Sequence, residues 1–237
     1  MSVRALAMEA LTLVATSYYD NDIFKYSDDP SYFQAESLYS SSSISEILDK
    51  VRTDERFNND ALAIPGEQNM AIVFRDHEAV LLDHCNAWII PSDPSTHFRE
   101  SQKAAMALFL GTKTPENKYN KSLLHPLLMS HAIQVILPHT PDKVHVLLVQ
   151  QWWLTTLAIY VAQLRPEIDF DVIAASGTHG KNWGWIKEQA LKSPHATDAY
   201  FLQTLRVLKE LGEAWDDPEE YHLKAAVKFV GDFEGWN

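Results

Sequence analysis

The stretch Thr140-Pro141-Asp142-Lys143-Val144-His145-Val146-Leu147-Leu148-Val149-Gln150-Gln151-Trp152-Trp153-Leu154-Thr155-Thr156-Leu157-Ala158-Ile159-Tyr160-Val161-Ala162-Gln163-Leu164-Arg165-Pro166 decides the fold class. Its opening supplies an N-cap, a proline for the first turn and an early carboxylate, each of which favours a helix start. Its close is Arg165-Pro166, because a residue before proline is pushed out of the helical region. The helix between them is expected to reach Leu164. Gln150 and Gln151 divide its apolar run from Val144 to Ala162, short of the ~18–20 unbroken apolar residues a bilayer span needs. The expectation is a core helix of a soluble protein that does not engage a membrane.

The same grammar extends in both directions. Apolar residues recur at intervals of three and four, and the chain has only 8 glycines for turns, so a many-stranded β protein is excluded. Upstream, Val3 to Ser17 reads as a helix, Asp20 to Ser43 as a long irregular loop, and Ser45 to Phe57 as a short amphipathic helix. Asn58 to Gly66 is a connector, and Glu67 to Ile89 reads as one long helix stopped by Pro91. Ser95 to Leu110 follows, entered through Asp93-Pro94 and closed by Gly111. After a polar loop comes a helix from Leu123 to Leu137, ended by Pro138. Downstream, Trp183 to Leu191 is one helix, Thr197-Asp198 opens another that Gly212 closes, and Asp217-Pro218-Glu219-Glu220 opens the last, which runs to Val230. The expected fold is all-α, a compact array of about eight helices around one core, with residues 1–237 forming a single domain.

Composition narrows the function classes. With 20 Lys and Arg against 32 Asp and Glu, the 237-residue chain carries a net charge of −12 and has no basic stripe, which excludes nucleic acid as a partner. A hydrophobic content of 46% excludes a disordered chain. Cys85 is the single cysteine, so neither a disulfide framework nor a thiolate zinc site is available. It reads as a small buried side chain, and low cysteine usage suits a reducing, cytoplasmic setting. The residues around Arg4 and Glu9 are too interrupted for a signal peptide.

The ten histidines are the main chemical resource. His125 and His131 are six apart, so they point to different faces of a regular helix and cannot chelate one metal. With Pro126 in the first turn, His125 falls near the N-cap, where a capping or core-satisfied imidazole is the competing reading. His77 and His84 are seven apart and share a face, read as the polar edge of a partly buried helix. Glu219 and His222 have the Glu-x-x-His spacing of carboxylate-bridged metal bundles, and Asp142 with His145 offers an Asp version. Both pairs open helices, where acids are favoured anyway, and no metal is assigned. Gly177-Thr178-His179-Gly180-Lys181 lacks the first glycine and the final Ser or Thr of a phosphate loop. No G-x-G-x-x-G follows a strand, so the chain shows no dinucleotide fold of its own. Trp152, Trp153 and Tyr160 share one helix and suit either ordinary core or the wall of a pocket for a flat ligand.

Leu123-Leu124-His125-Pro126-Leu127-Leu128-Met129-Ser130-His131-Ala132-Ile133-Gln134-Val135-Ile136-Leu137 and the Val149 to Pro166 segment resemble the questin oxidase-like family, which includes the Baeyer–Villiger-type oxidase of aflatoxin biosynthesis. His125 falls on the family's His, Ser130 on its Ser, and Tyr160 and Pro166 on later landmarks. A further element resembles Trp185 through Ala190 to Asp198, Arg206 and Leu208. The departures are Asn120-Lys121-Ser122-Leu123-Leu124 in place of an Asp-Phe-Phe element, and Tyr200 and Gln203 where the family often has His and Lys. The likeness corresponds to the C-terminal half of a typical member.

The resemblance implies an oxidoreductase that inserts oxygen beside a ring ketone of an aromatic polyketide of the anthraquinone type, using dioxygen and NADPH. It implies His125 and Tyr160 as catalytic residues, as base or polarising group and hydrogen-bond donor respectively. Ser130, His131, Trp152, Trp153 and Arg206 are the implied substrate-binding residues. The alternative expectation is a shortened, non-catalytic all-α binding or scaffold protein that retains an aromatic-lined pocket.

Overall fold

A computed structural model of the chain describes residues 25–90, 94–112, 118–217 and 220–237. The helix expected over Val3 to Ser17 lies outside them. The described chain is all-α, with no sheet and only two isolated bridges, Ser41 to Trp88 and Tyr119 to Trp236.

The decisive stretch forms α7, His145–Ala162, with the α-helices labelled in chain order. A 3-10 turn, Asp142–Val144, leads into it, and Thr140 is not its cap: the Thr140 hydroxyl instead donates to the Leu137 carbonyl. Asp142–Ala162 is long and apolar enough by composition to cross a membrane, with mean hydropathy 1.3. Its C-terminal half is nonetheless buried inside the protein from Trp152 to Ala162, with Thr155 the only half-exposed position. The covering elements are α1 (Lys25–Asp28), α2 (Ile44–Thr53), α3 (Asn69–Asp76), α4 (Glu78–Asn86), α5 (Pro94–Leu110) and α6 (Lys121–Ile136). A helix with apolar residues on every side belongs at the centre of such an array.

A second layer, α8 (Trp183–Lys192), α9 (Ala199–Ala214) and α10 (Tyr221–Asp232), closes on α5 and α6. Asp198 caps α9, accepting from Phe201 N at 2.9 Å. Phe201, Phe229, Phe233 and Trp236 then stack in tilted and edge-on pairs at 4.9–6.0 Å and fill the joint between α9 and α10.

Several local expectations are corrected. The long helix over Glu67 to Ile89 is two helices broken at His77, whose φ of −125° is not helical. The region from Asp20 to Ser43 is not wholly irregular, since α1 and a 3-10 turn, Pro30–Gln34, occupy part of it. The helix expected over Ser45 to Phe57 ends at Thr53 and resumes as a 3-10 turn, Glu55–Phe57. α6 begins at Lys121, where Asn120 Oδ1 accepts from Ser122 N, so Pro126 is its sixth residue and His125 is not near its cap. Gly212 lies inside α9 and does not end it. A Cβ there would sit 3.2 Å from His222 Cβ, so the glycine serves the close approach of α10. Gly111 does follow α5, and its bare Cα admits the Asp169 carbonyl, which a Cβ would meet at 2.4 Å.

The end of α7 ties the layers together. Leu164 and Arg165 both adopt left-handed backbone, with φ of 61° and 53°, a conformation that costs about 1–3 kcal/mol for each non-glycine residue. In return Arg165 Nη1 reaches the carbonyls of Val51 (3.2 Å) and Asp54 (2.7 Å), while Nη2 donates to Asn58 Oδ1 (2.9 Å). A guanidinium thereby satisfies the last carbonyls of α2, where a cation is also favoured by the helix dipole. Replacing Arg165 by Ala is expected to lower stability by about 2–3 kcal/mol, the range for charged hydrogen bonds left unmade. Urea unfolding of the variant measures it, and a loss below half a kilocalorie would contradict this account.

Candidate functional site

A cleft of about 290 Å³ opens between the start of α2, the end of α4, α5, the loop after α7 and the start of α10. Each element contributes for a local reason. Ser43 caps α2, accepting from Glu46 N at 3.3 Å, and this turns Ser42 to Ser45 into one wall. Trp88 follows α4 and is held by the backbone pairing of Ser41 N with Ala87 O and of Ile89 N with Ser41 O. Phe170 arrives on the loop anchored by Asp169 N to Gly111 O, and Tyr221 stands at the first turn of α10.

The cleft therefore has three aromatic walls, Trp88, Phe170 and Tyr221, and a polar side from α5. On that side Lys103 pairs with Glu100 at 3.2 Å and lies over the Tyr221 ring at 5.6 Å. Burial, with the charges of Glu100, Asp217 and Asp171, pushes the Tyr221 hydroxyl up to about 12. At neutral pH it is protonated and has a proton to donate. An aromatic slot with an ammonium and a phenol as donors suits a flat molecule bearing a carbonyl.

Behind the Ser41–Ser45 wall lies the most elaborate polar cluster of the described chain. Tyr39 Oη is 2.8 Å from His84 Nδ1, and His84 Nε2 is 2.8 Å from Asp54 Oδ2. Arg56 bonds Asp54 through Nε and Nη2 and reaches Asp83 at 2.8 Å. Asp83 in turn accepts from Leu38 N and the Ser37 hydroxyl. Phe57 stacks on His84 at 5.7 Å and also meets His77, and the Arg165 guanidinium lies over the Phe57 ring at 5.5 Å. His77 and His84 are both buried, at 7% and 2% exposure, and do not form the polar helix edge expected from spacing.

Burial opposes ionisation of Asp54, but the bonds from Arg56 and His84 outweigh it and hold the carboxyl well below its ordinary range. Asp54 is thus an acceptor only, which places the imidazole proton on Nε2 and leaves Nδ1 to accept from Tyr39. Burial also raises the Tyr39 hydroxyl, aided by Asp83, Glu46 and Asp54, so the phenol stays protonated. The cluster straps residues 37–41 to α4 and so fixes the cleft wall that follows them.

The residues singled out by sequence are dispersed. Tyr160 is fully buried and donates to the Pro166 carbonyl at 2.9 Å. His125 is half-buried and meets the Tyr200 ring edge-on at 6.0 Å, with Lys121 over that ring at 5.2 Å. Neither lines the cleft. Ser130 is fully buried and donates to Leu127 O at 2.7 Å. His131 and Arg206 are brought together by Glu210, at 2.9 Å and 2.7 Å, although 75% of the Arg206 side chain is exposed. Trp152 is core and donates to Pro126 O at 2.9 Å; Trp153, equally buried, has no partner for Nε1 among the described residues. Cys85 is buried, and burial pushes its thiol up.

Glu219 lies outside the described residues, and His222 has Asp217 as its carboxylate. The His222 backbone N donates to Asp217 Oδ2 at 2.7 Å, and Nδ1 lies 2.9 Å from the same oxygen but off-line for a hydrogen bond. Among the described residues no group of three or more His, Cys, Asp or Glu could hold a metal ion. The donor set also does not fit NADPH. Lys103 is neutralised by Glu100, and the open groove beside the cleft, about 730 Å³, presents Glu167, Asp169 and Asp171 to any phosphate.

The cluster that the sequence left unread is Tyr39, Asp54 and His84, together with Lys103, Phe170 and Tyr221. Their contacts join residues 30–45 positions apart or more, so no local spacing announces them.

His84, His131 and His222 all have pKa values below the ordinary histidine range, because burial outweighs the attraction of Asp54, Glu210 and Asp217 respectively. Between those lowered values and about 6.5 the unfolded chain binds more protons than the folded one. Stability contributed by these groups is therefore present above pH 6.5 and is lost as pH falls through the folded values. Replacing His84 by Asn is expected to lower stability at pH 7.5 by about 1–3 kcal/mol and to flatten its slope between pH 5.5 and 7. Urea midpoints across that range report both; an unchanged slope would show that His84 does not titrate there.

No curated protein matches the chain. The family model described as Questin oxidase-like matches residues 1–208, which include the cluster behind the cleft and all of the cleft wall except Tyr221. With most of its length matched, the chain belongs to the questin oxidase-like family.

Proposed function

We infer that the protein is an oxidoreductase of aromatic polyketide metabolism, acting in the cytoplasm on a flat ketone of the anthraquinone type held in the cleft. The single observation that carries the site is the slot between Trp88, Phe170 and Tyr221, with the Tyr221 phenol and Lys103 as donors beside it. Family membership supports the oxidase class, and the finer reaction is oxygen insertion next to a ring ketone in the Baeyer–Villiger sense. In that reaction this chain's residues orient the ring plane, exclude water from its faces and direct a proton donor at the carbonyl oxygen, which polarises it. NADPH belongs to the proposal as the reductant the family implies. Lys103 in the cleft is already paired with Glu100, so no step is assigned to NADPH here.

A second reading rests on His125. Its half-buried imidazole, the Tyr200 ring, Lys121 and Trp236 form an aromatic and cationic face, with Lys121 over Trp236 at 6.0 Å and Tyr200 edge-on to Trp236 at 6.1 Å. On this reading His125 is the proton-transfer group and the substrate lies against α6 and α9.

Two variants separate the readings. Ala104 lines the cleft and is half-exposed, so Ala104→Phe fills the slot without overpacking a closed core. It is expected to lower anthraquinone affinity more than tenfold and to abolish oxygen and NADPH consumption, with His125→Ala near wild type. The reverse pattern supports the His125 face and rejects the cleft. Binding that persists in wild type with no oxygen or NADPH consumed identifies a non-catalytic binding protein.

A further inference from the structure

Buried tryptophans usually find a partner for the indole N–H. Trp152 does so through the Pro126 carbonyl, whereas its neighbour Trp153, 0% exposed, has no hydrogen-bond partner for Nε1 among the described residues. Trp153 lines a narrow inner crevice with Leu48, Ile44 and Ala104, and the last two also line the outer cleft. Trp88, on the cleft wall, meets Trp153 edge-on at 5.6 Å and 65°. Trp153 thus stands behind the cleft, in a crevice that shares Ile44 and Ala104 with it.

We propose that Trp153 Nε1 is the hydrogen-bond donor that receives the ring-ketone oxygen of a flat aromatic ligand entering the cleft past Trp88. The proposal rests on the cleft as the substrate site and adds the basis of its selectivity. An indole N–H donates and cannot accept, so the position selects a carbonyl over a hydroxyl that must also donate. Its surroundings, Ile44, Leu48, Leu108, Trp152 and a Thr156 whose hydroxyl already donates to the Trp152 carbonyl at 2.8 Å, hold no charge, which favours a neutral ketone over a carboxylate left without a counterion. The crevice is closed as it stands, so entry of the ring edge moves the Ile44 and Leu48 side chains, both on α2.

The test uses the full chain and two matched uncharged probes, 2-(hydroxymethyl)anthraquinone and 2-(hydroxymethyl)anthracene, which differ in the ring ketones. Calorimetric titration of wild type and Trp153→Phe gives four affinities. Phe keeps an aromatic ring at the position and removes the N–H, while its smaller volume is the same for both probes. The expected result is a tenfold weaker ketone affinity in the variant, with the anthracene probe bound equally by both proteins. The variant's melting temperature is expected to fall, because the smaller ring leaves a cavity in the core, and the loss of an unpaired buried donor offsets only part of this. Equal ketone affinity in the two proteins overturns the assignment of Trp153 alone, as does an equal loss for both probes. Failure of wild type to bind either probe overturns the cleft itself and this assignment with it.

Discussion

Arg165 joins the two ends on which the rest of the structure depends. It stands where α7 stops, in left-handed backbone that a β-branched residue could hardly adopt, and its guanidinium closes the C-terminus of α2. Burial lowers its pKa, yet it remains a cation at neutral pH because its ordinary value is so high. One face lies on Phe57, whose ring stacks on His84. The central helix, the last carbonyls of α2 and the buried imidazole are thereby fixed relative to one another. Tyr160 secures the same turn from within, through its bond to Pro166 O.

From that joint the order passes outward. Asp54, placed by the end of α2, orients His84; His84 holds Tyr39; and Asp83 holds Ser37 and Leu38. The strap so formed leads directly into the Ser42–Ser45 wall, and its Ser41 pairs with the backbone beside Trp88. The wall is therefore built on a charge-paired network and not on apolar packing alone. Such a network is specific in geometry because a carboxylate, an imidazole and a phenol each accept only certain partners.

Opposite the strap, the loop after α7 is held by a backbone contact that only a bare Cα at Gly111 permits, and this delivers Phe170. The cleft is consequently a junction of elements from distant parts of the chain, and the Lys103 cation in it is matched by Glu100. In a protein with a net charge of −12, a neutral polar slot with apolar walls suits an uncharged ring system better than a phosphorylated one.

The chain's own pattern determined the helical class, the core place of the helix that precedes Arg165-Pro166, though it ends at Ala162 and not at Leu164, and the opening of α9 at Asp198. Each follows from interactions within a few residues: periodicity of 3.6, side chains bonding nearby N–H groups, and proline sterics. The same local reasoning placed His125 and Tyr160 on neighbouring helices, and it had no means of knowing that one meets Tyr200 and the other its own helix end. It read Gly212 as a stop because glycine there has two possible causes, and only the approach of His222 distinguishes them. Tertiary structure alone decided that Tyr39, Asp54 and His84 converge, that Trp88, Phe170 and Tyr221 line one cleft, and that the indole N–H of Trp152 has a partner while that of Trp153 has none among the described residues. Those outcomes depend on which helices pack together, and packing is a property of the whole core that no window of sequence contains.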